Sequence, residues 1–406
     1  MSKPKLRPNI EVQPIDYQGQ QMLLLRDPWQ LSDNVIAAPR PLGPLLALMD
    51  GSRDEATLEA ALQIRAGVRL APGLLSNFLA ELDGACLLDN DRFDKIRAEA
   101  LVAYRQAAFR PPTLDGAGFP SRASDAGAWL QRYVDALPPA GTPLTDGAIR
   151  GLISPHIDYQ RGGRVYAEVW RAAARAAREA ELVVILGTDH RGSEGRVTLT
   201  RQPYATPWGV LPLDGDVVNA LAGALGEEFA FGEELNHRNE HSVELAAVWL
   251  HFIRGGQPVP TVPILLGHFA EFVAGAADPA AHEPFAHTLE RLHEVMATRR
   301  TLVVAAADLA HVGPAFGHPH GVDFVGRAKL RGADERLLET VYAGDAAAFF
   351  GEIQAEGDRR NVCGLPPIYL TLRLLGETRG EPAGYAVCPA DPRGTSFVTI
   401  AGAVLR

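Results

Sequence analysis

Four stretches of the chain are apolar strand candidates: Ile149 to Ile153, Leu182 to Leu186, Val259 to Leu266 and Thr301 to Ala307. Leu182 to Leu186 is unbroken and rich in β-branched residues, the pattern of a strand buried on both faces of a parallel sheet. Between the four candidates lie Ala-rich stretches of helical character, VYAEVWRAAARAAREA and EHSVELAAVWLHFI. Strand, loop and helix in alternation predict an α/β domain, with helices packed on both faces of a largely parallel sheet.

The first 95 residues follow a different rhythm. Short apolar segments at Ile10 to Ile15 and Met22 to Leu25 are flanked by turn residues, as in a hairpin. Helical spacing follows at Leu42, Leu45, Leu46 and Met49, then from about Glu55 to Ile64. A third stretch runs from Pro72 through Leu74, Leu75, Phe78, Leu79 and Leu82. Ala85 to Leu88 reads as the start of a wing strand, so residues 1–95 are expected to form a small winged-helix-like module. Residues 96–109 read as a connecting helix and 110–406 as the larger domain, within which the linker PPAGTPLTDG leads into the first buried strand.

Composition narrows the function classes. The 47% hydrophobic and 22% charged fractions are those of an ordinary globular protein, and 406 residues allow more than one domain. A formal charge of −10 argues against phosphate-driven nucleic-acid binding and against a basic membrane anchor. No run approaches the ~18 apolar residues of a spanning helix. The opening MSKPKLRPNIEV has no apolar stretch after its basic residues, so no signal peptide is expected. Three cysteines, Cys86, Cys363 and Cys388, are too few for a disulfide framework, and a cytoplasmic protein is expected.

The chemistry follows the strands. After the first come His156 and Asp158, after the second Asp189 and His190, after the third His268, and after the fourth Asp308 and His311. Parallel strands point one way, so these loops share one rim of the sheet, where open α/β sheets gather ligand groups. Imidazoles at 156, 190 and 311 with carboxylates at 158, 189 and 308 make a candidate metal site. Asp158 and Asp189 also suit plain turns. His268 reads as a locally hydrogen-bonded histidine, and His237, His251, His282, His287, His293, His318 and His320 as solvated ones. His241 opens a helix between Glu240 and Glu244, where cap chemistry alone accounts for the acids. Cys363 precedes a helix start marked by Pro366 and Pro367, a setting that favours the thiolate, the form that binds metal or attacks. Cys86 and Cys388 have no such setting.

The segments SPHIDY, GTDHRG, TRQPYATPWGVLPLD, EHSVELAAVWL, PILLG, ADLAHVG and NVCG occur in the order and spacing of the Memo family, known in bacteria as AmmeMemoRadiSam system protein B. The resemblance covers roughly residues 110–406. It implies a fold like that of class III extradiol dioxygenases, whose non-haem iron lies at the strand ends. It also implies His156, His190 and Cys363 as metal ligands, with iron or copper bound, and Asp308, His311 and His241 close by. Two elements depart from the family pattern: Ala-Gly after the first histidine becomes Ile157-Asp158, and Pro-Ser before the second becomes Thr188-Asp189, with Arg191 in place of a further histidine. The module DGSRDEATLEAAL…FLAELDGACLL resembles PqqD-like peptide-recognition domains, which implies docking of a protein or peptide.

The expectation is a mononuclear metal-dependent oxidoreductase related to the extradiol dioxygenases, with Fe(II), or else copper or zinc, on His156, His190 and Cys363. His311, Asp308, His241 and Asp189 are the candidate catalytic groups, with His311 oriented by Asp308 as acid/base. The rivals are a non-catalytic peptide- or metal-binding partner of radical-SAM and AMMECR-type proteins, and a zinc-dependent hydrolase. No phosphate loop or dinucleotide fingerprint is present.

Overall fold

A computed structural model describes residues 3–139 and 148–406. The chain divides into two compact units, Met1–Gln106 and Ala107–Arg406. Among the described residues no helix is long and apolar enough to cross a membrane.

The first unit pairs β1 (Glu11–Tyr17), β2 (Gln20–Arg26) and β3 (Ile36–Pro39) into an antiparallel meander. Its helices Glu55–Ala66 and Leu74–Gly84 bury Leu58, Leu62, Leu75, Phe78, Leu79 and Leu82 in one core with Leu25 and Leu45. The expected wing strand is replaced by a turn. Cys86 takes a left-handed φ of 57°, and the chain then pairs backward: Arg7 N donates to Leu87 O and Asp89 N to Lys5 O. Asn90 next accepts from Phe93 N and opens the helix Asp91–Gln106, so no second wing strand follows. The apolar Ala85–Leu88 run is buried because it closes this core, not because it extends a hairpin.

The second unit is built on an eight-stranded sheet. Its centre is four parallel strands, β4 (Gly151–Ser154), β5 (Leu182–Thr188), β9 (Thr261–Leu266) and β10 (Thr301–Ala306), in the order β4-β10-β5-β9. Antiparallel strands flank them. β6 (Val197–Leu199) lies beside β9, while β13 (Phe397–Leu405) pairs with β4, β11 (His311–Val312) and β12 (Gly380–Pro389). β7 (Tyr204–Thr206) and β8 (Gly209–Leu211) form a separate hairpin. The sheet is therefore parallel at its centre and antiparallel at both sides.

Alternate residues of β5 serve two helix layers, as the two-residue period of a strand requires. Leu182, Val184 and Leu186 pack with the helix Leu365–Leu375; Val183 and Ile185 pack with the helices Tyr159–Ala172 and Ser242–Ile253. Each fully buried Val, Leu or Ile contributes about 1.5–3 kcal/mol, and all seven residues of β5 are buried. This two-sided core fixes the carboxyl ends of the parallel strands relative to one another.

Candidate metal centre

Two glycines set the site. A Cβ on Gly187, near the end of β5, would lie 2.6 Å from Ser242 Oγ and 2.7 Å from Val243 Cγ2. Its absence lets the Glu240-His241-Ser242 turn dock on the strand end, where Ser242 Oγ donates to Thr188 O at 2.9 Å. Gly364 plays the same part for Cys363: a Cβ there would run into the Asp308 carbonyl and stand 2.8 Å from Ala307 Cβ. Gly364 N instead donates to Asp308 O, and Thr188 Oγ1 to Cys363 O. The thiol is thus brought against the ends of β10 and β5, just before the helix Leu365–Leu375 begins.

The rings converge there. His156 and His190 have centroids 5.1 Å apart, His156 and His241 5.6 Å, and His190 and His241 stack nearly parallel at 5.0 Å. His156 Nε2 lies 3.4 Å from Cys363 Sγ. One tetrahedral ion with a 2.1 Å nitrogen bond and a 2.3 Å sulfur bond would hold such a pair about 3.6 Å apart.

The outer nitrogens are taken. His156 Nδ1 is 3.0 Å from Ala306 O, His190 Nδ1 is 2.9 Å from Glu240 Oε2, and His311 Nδ1 is 3.2 Å from Leu309 O. Carbonyl and carboxylate oxygens only accept, so each Nδ1 carries the hydrogen and each Nε2 is left for the centre. That is how metal-binding imidazoles are usually held. His156 is buried, whereas 34% of the His190 side chain and 40% of the His241 side chain reach solvent. The centre has a closed floor and an open side.

Charge is shared across this cluster. Burial alone would push the Cys363 thiol up, but His156 and His311 beside it, with hydrogen bonds from His156 and His190, hold it well below the usual thiol range. Burial opposes protonation of His156, yet Asp308 and Cys363 lift it to about 9. His190 is likewise raised against burial, mainly by Glu240. His241 is lowered to about 4 by burial, with Glu240 opposing. Asp189 is raised to about 7 by burial and by Glu240, while Asn236 Nδ2 and Arg191 N donate to its oxygens.

Several expectations change. Asp308 does not orient His311: its Oδ1 accepts from His156 N and Ile157 N, and the His311 ring is held by a backbone carbonyl. The carboxylate fastens the His156 turn because a buried acid facing two free N–H groups satisfies them. Asp158 is the N-cap of Tyr159–Ala172 and pairs with Arg161, so its charge is spent outside the cluster. His237 and His251 are not solvated. Both are buried: His237 is bonded by Tyr204 Oη and Thr198 O, and His251 by Thr206 Oγ1 and Gly256 O. Cap chemistry describes only half of Glu240. Its Oε1 accepts from His241 N and Ser242 N, and its buried Oε2 holds His190. An acid next to a histidine before a buried helix was the available signal for that second duty.

A central parallel sheet with three imidazoles and a thiol gathered at its strand ends defines an α/β protein with a candidate mononuclear metal centre. Comparison with known proteins makes the grouping specific. A family model described as Memo-like protein matches residues 110–398. A MEMO1 family protein of Aquifex aeolicus is 25% identical over 405 residues, 99% of both chains, so the match includes the first unit. One from Thermus thermophilus is 27% identical over 320 residues, 78% of this chain and 88% of its own. A memo-1 homolog of Caenorhabditis elegans is 26% identical over 280 residues, 66% of this chain and 75% of its own. The chain belongs to the Memo family.

Proposed function

We propose that the chain is a mononuclear metal protein, with His156, His190 and Cys363 holding the ion, and that it acts as a metal-dependent oxidoreductase on a small-molecule or peptide substrate. The observation that carries this reading is the arrangement of nitrogens: two imidazoles with Nδ1 anchored to protein acceptors present Nε2 toward a thiol drawn to its anionic form. When bound, iron or copper would supply one-electron and dioxygen chemistry, and the thiolate makes the donor set softer than two histidines and a carboxylate. The protein's own residues bind and orient. Ala306 O and Glu240 fix the rings, Asp308 fixes the His156 turn, and His311, with Nε2 turned toward Cys363, is placed to give or take a proton.

Metal identity and stoichiometry in anaerobically purified protein test the reading. One iron or copper per chain, with oxygen consumed in the presence of substrate, is the expected result. Zinc with ester or amide turnover would replace it with a hydrolase. A folded, metal-free protein that binds a peptide would replace it with a binding partner, of the radical-SAM and AMMECR-type proteins among others.

A further inference from the structure

The proposed ligand set leaves out one ring. Single donor atoms of His156, His190 and His241 all lie within 4.8 Å of one another. Two triads thus share His156 and His190: one is completed by the Cys363 sulfur, the other by His241. For bonds of 2.1 Å a tetrahedral ion holds its nitrogens about 3.4 Å apart, so rotation of the half-exposed His241 by about an ångström brings it into range.

We propose that His241 is a further donor to the ion, standing at the open side of the centre with its backbone N–H bound to the same carboxylate that orients His190. This rests on the reading above that the centre binds metal. Glu240 Oε2 takes His190 Nδ1 at 2.9 Å, and Oε1 lies 3.3 Å from His241 Nδ1. One buried carboxylate therefore anchors the His190 ring and attracts the His241 ring stacked on it, whose own position is set by its backbone. The backbone assists, since Oε1 also accepts from His241 N and Ser242 N, which pins the residue at the start of its helix. His156 is closed off, while 34% of the His190 side chain and 40% of the His241 side chain meet solvent, and of these two only His190 has its Nδ1 hydrogen-bonded to Glu240. Exposed and without the ring anchor that His190 has, His241 is the donor that an incoming small molecule displaces, and the ligand exchange site of the centre is the place where it sits.

The test is Co(II) titration of the full chain against a chelator, followed by azide titration of the Co(II) protein. His241→Ala is expected to weaken Co(II) binding by about tenfold or more and to bind azide more tightly than wild type. His241→Cys should restore Co(II) affinity and add a second sulfur-to-metal absorption band, a signature that a purely structural role would not produce. Wild-type affinity, spectrum and azide binding in His241→Ala would overturn this inference alone. Wild-type protein that takes up no Co(II) would overturn it together with the reading it rests on.

Discussion

Replacing Glu240 by glutamine keeps the size of the side chain and exchanges one acceptor oxygen for an NH2 donor. In the native protein both oxygens face donors only: Oε1 receives His241 N at 2.8 Å and Ser242 N at 2.9 Å, and Oε2 receives His190 N at 3.2 Å and Nδ1 at 2.9 Å. Whichever way the amide is turned, its NH2 meets two N–H groups. Two bonds to a buried charge are lost, at about 1.5–3 kcal/mol each, so the Glu240→Gln protein should be about 3–6 kcal/mol less stable in urea. If the amide oxygen keeps the helix N–H pair, the loss falls on His190, whose ring is then free to turn. Outer-shell partners of this kind are worth about 10- to 100-fold in metal affinity. Chelator competition reads that change, and denaturation reads the first. Metal affinity within twofold of wild type, in a protein that is folded, would refute the claim that Glu240 orients the imidazole.

Other perturbations act elsewhere on the same frame. Gly364→Ala puts a methyl into the Asp308 carbonyl, so it should cost about 1–3 kcal/mol and lower metal affinity by moving Cys363, which the same two assays detect. Arg110 is fully buried, pairs with Glu244, and donates to the carbonyls of His237 and Glu240. Arg110→Met removes the cation from the buried Glu244 charge, which keeps only the bonds from Thr113 and Leu114, and should destabilise the protein by about 3–5 kcal/mol, measured by urea unfolding. Buried His237 is held neutral, its pKa lowered by burial to about 3 against an ordinary 6.5. The unfolded chain binds that proton first, so stability is complete above pH 6.5 and falls as pH drops toward 3, by up to about 1.4 kcal/mol per pH unit. Urea midpoints across that range should show a shallower acid slope in His237→Gln than in wild type.

What was legible in the sequence follows from how local each signal is. β5 is written in Leu182 to Leu186 because a strand buried on both faces must be apolar throughout. β13 is just as apolar and just as buried, yet it pairs antiparallel from the far end of the chain, and nothing in Phe397 to Leu405 announces that partner. His156, His190 and Cys363 could be read from their places after strands or before a helix. The duties of Asp308 and Glu240 could not, because each depends on which N–H groups the fold leaves facing a buried carboxylate. His237 and His251 looked like surface residues since their partners, Tyr204 and Thr206, lie far back in the chain. The first unit shows the same limit: a buried apolar run at Ala85 to Leu88 fits a wing strand equally well until the N-terminal residues are seen to cover it.

The central claim is that imidazoles and a thiol distant in sequence share one ion at the rim of the sheet. X-ray absorption at the edge of the bound metal tests it most directly. The account predicts one sulfur at about 2.3 Å with at least two nitrogens at about 2.0–2.1 Å, and loss of the sulfur shell in Cys363→Ser. A first shell without sulfur in the native protein would contradict it.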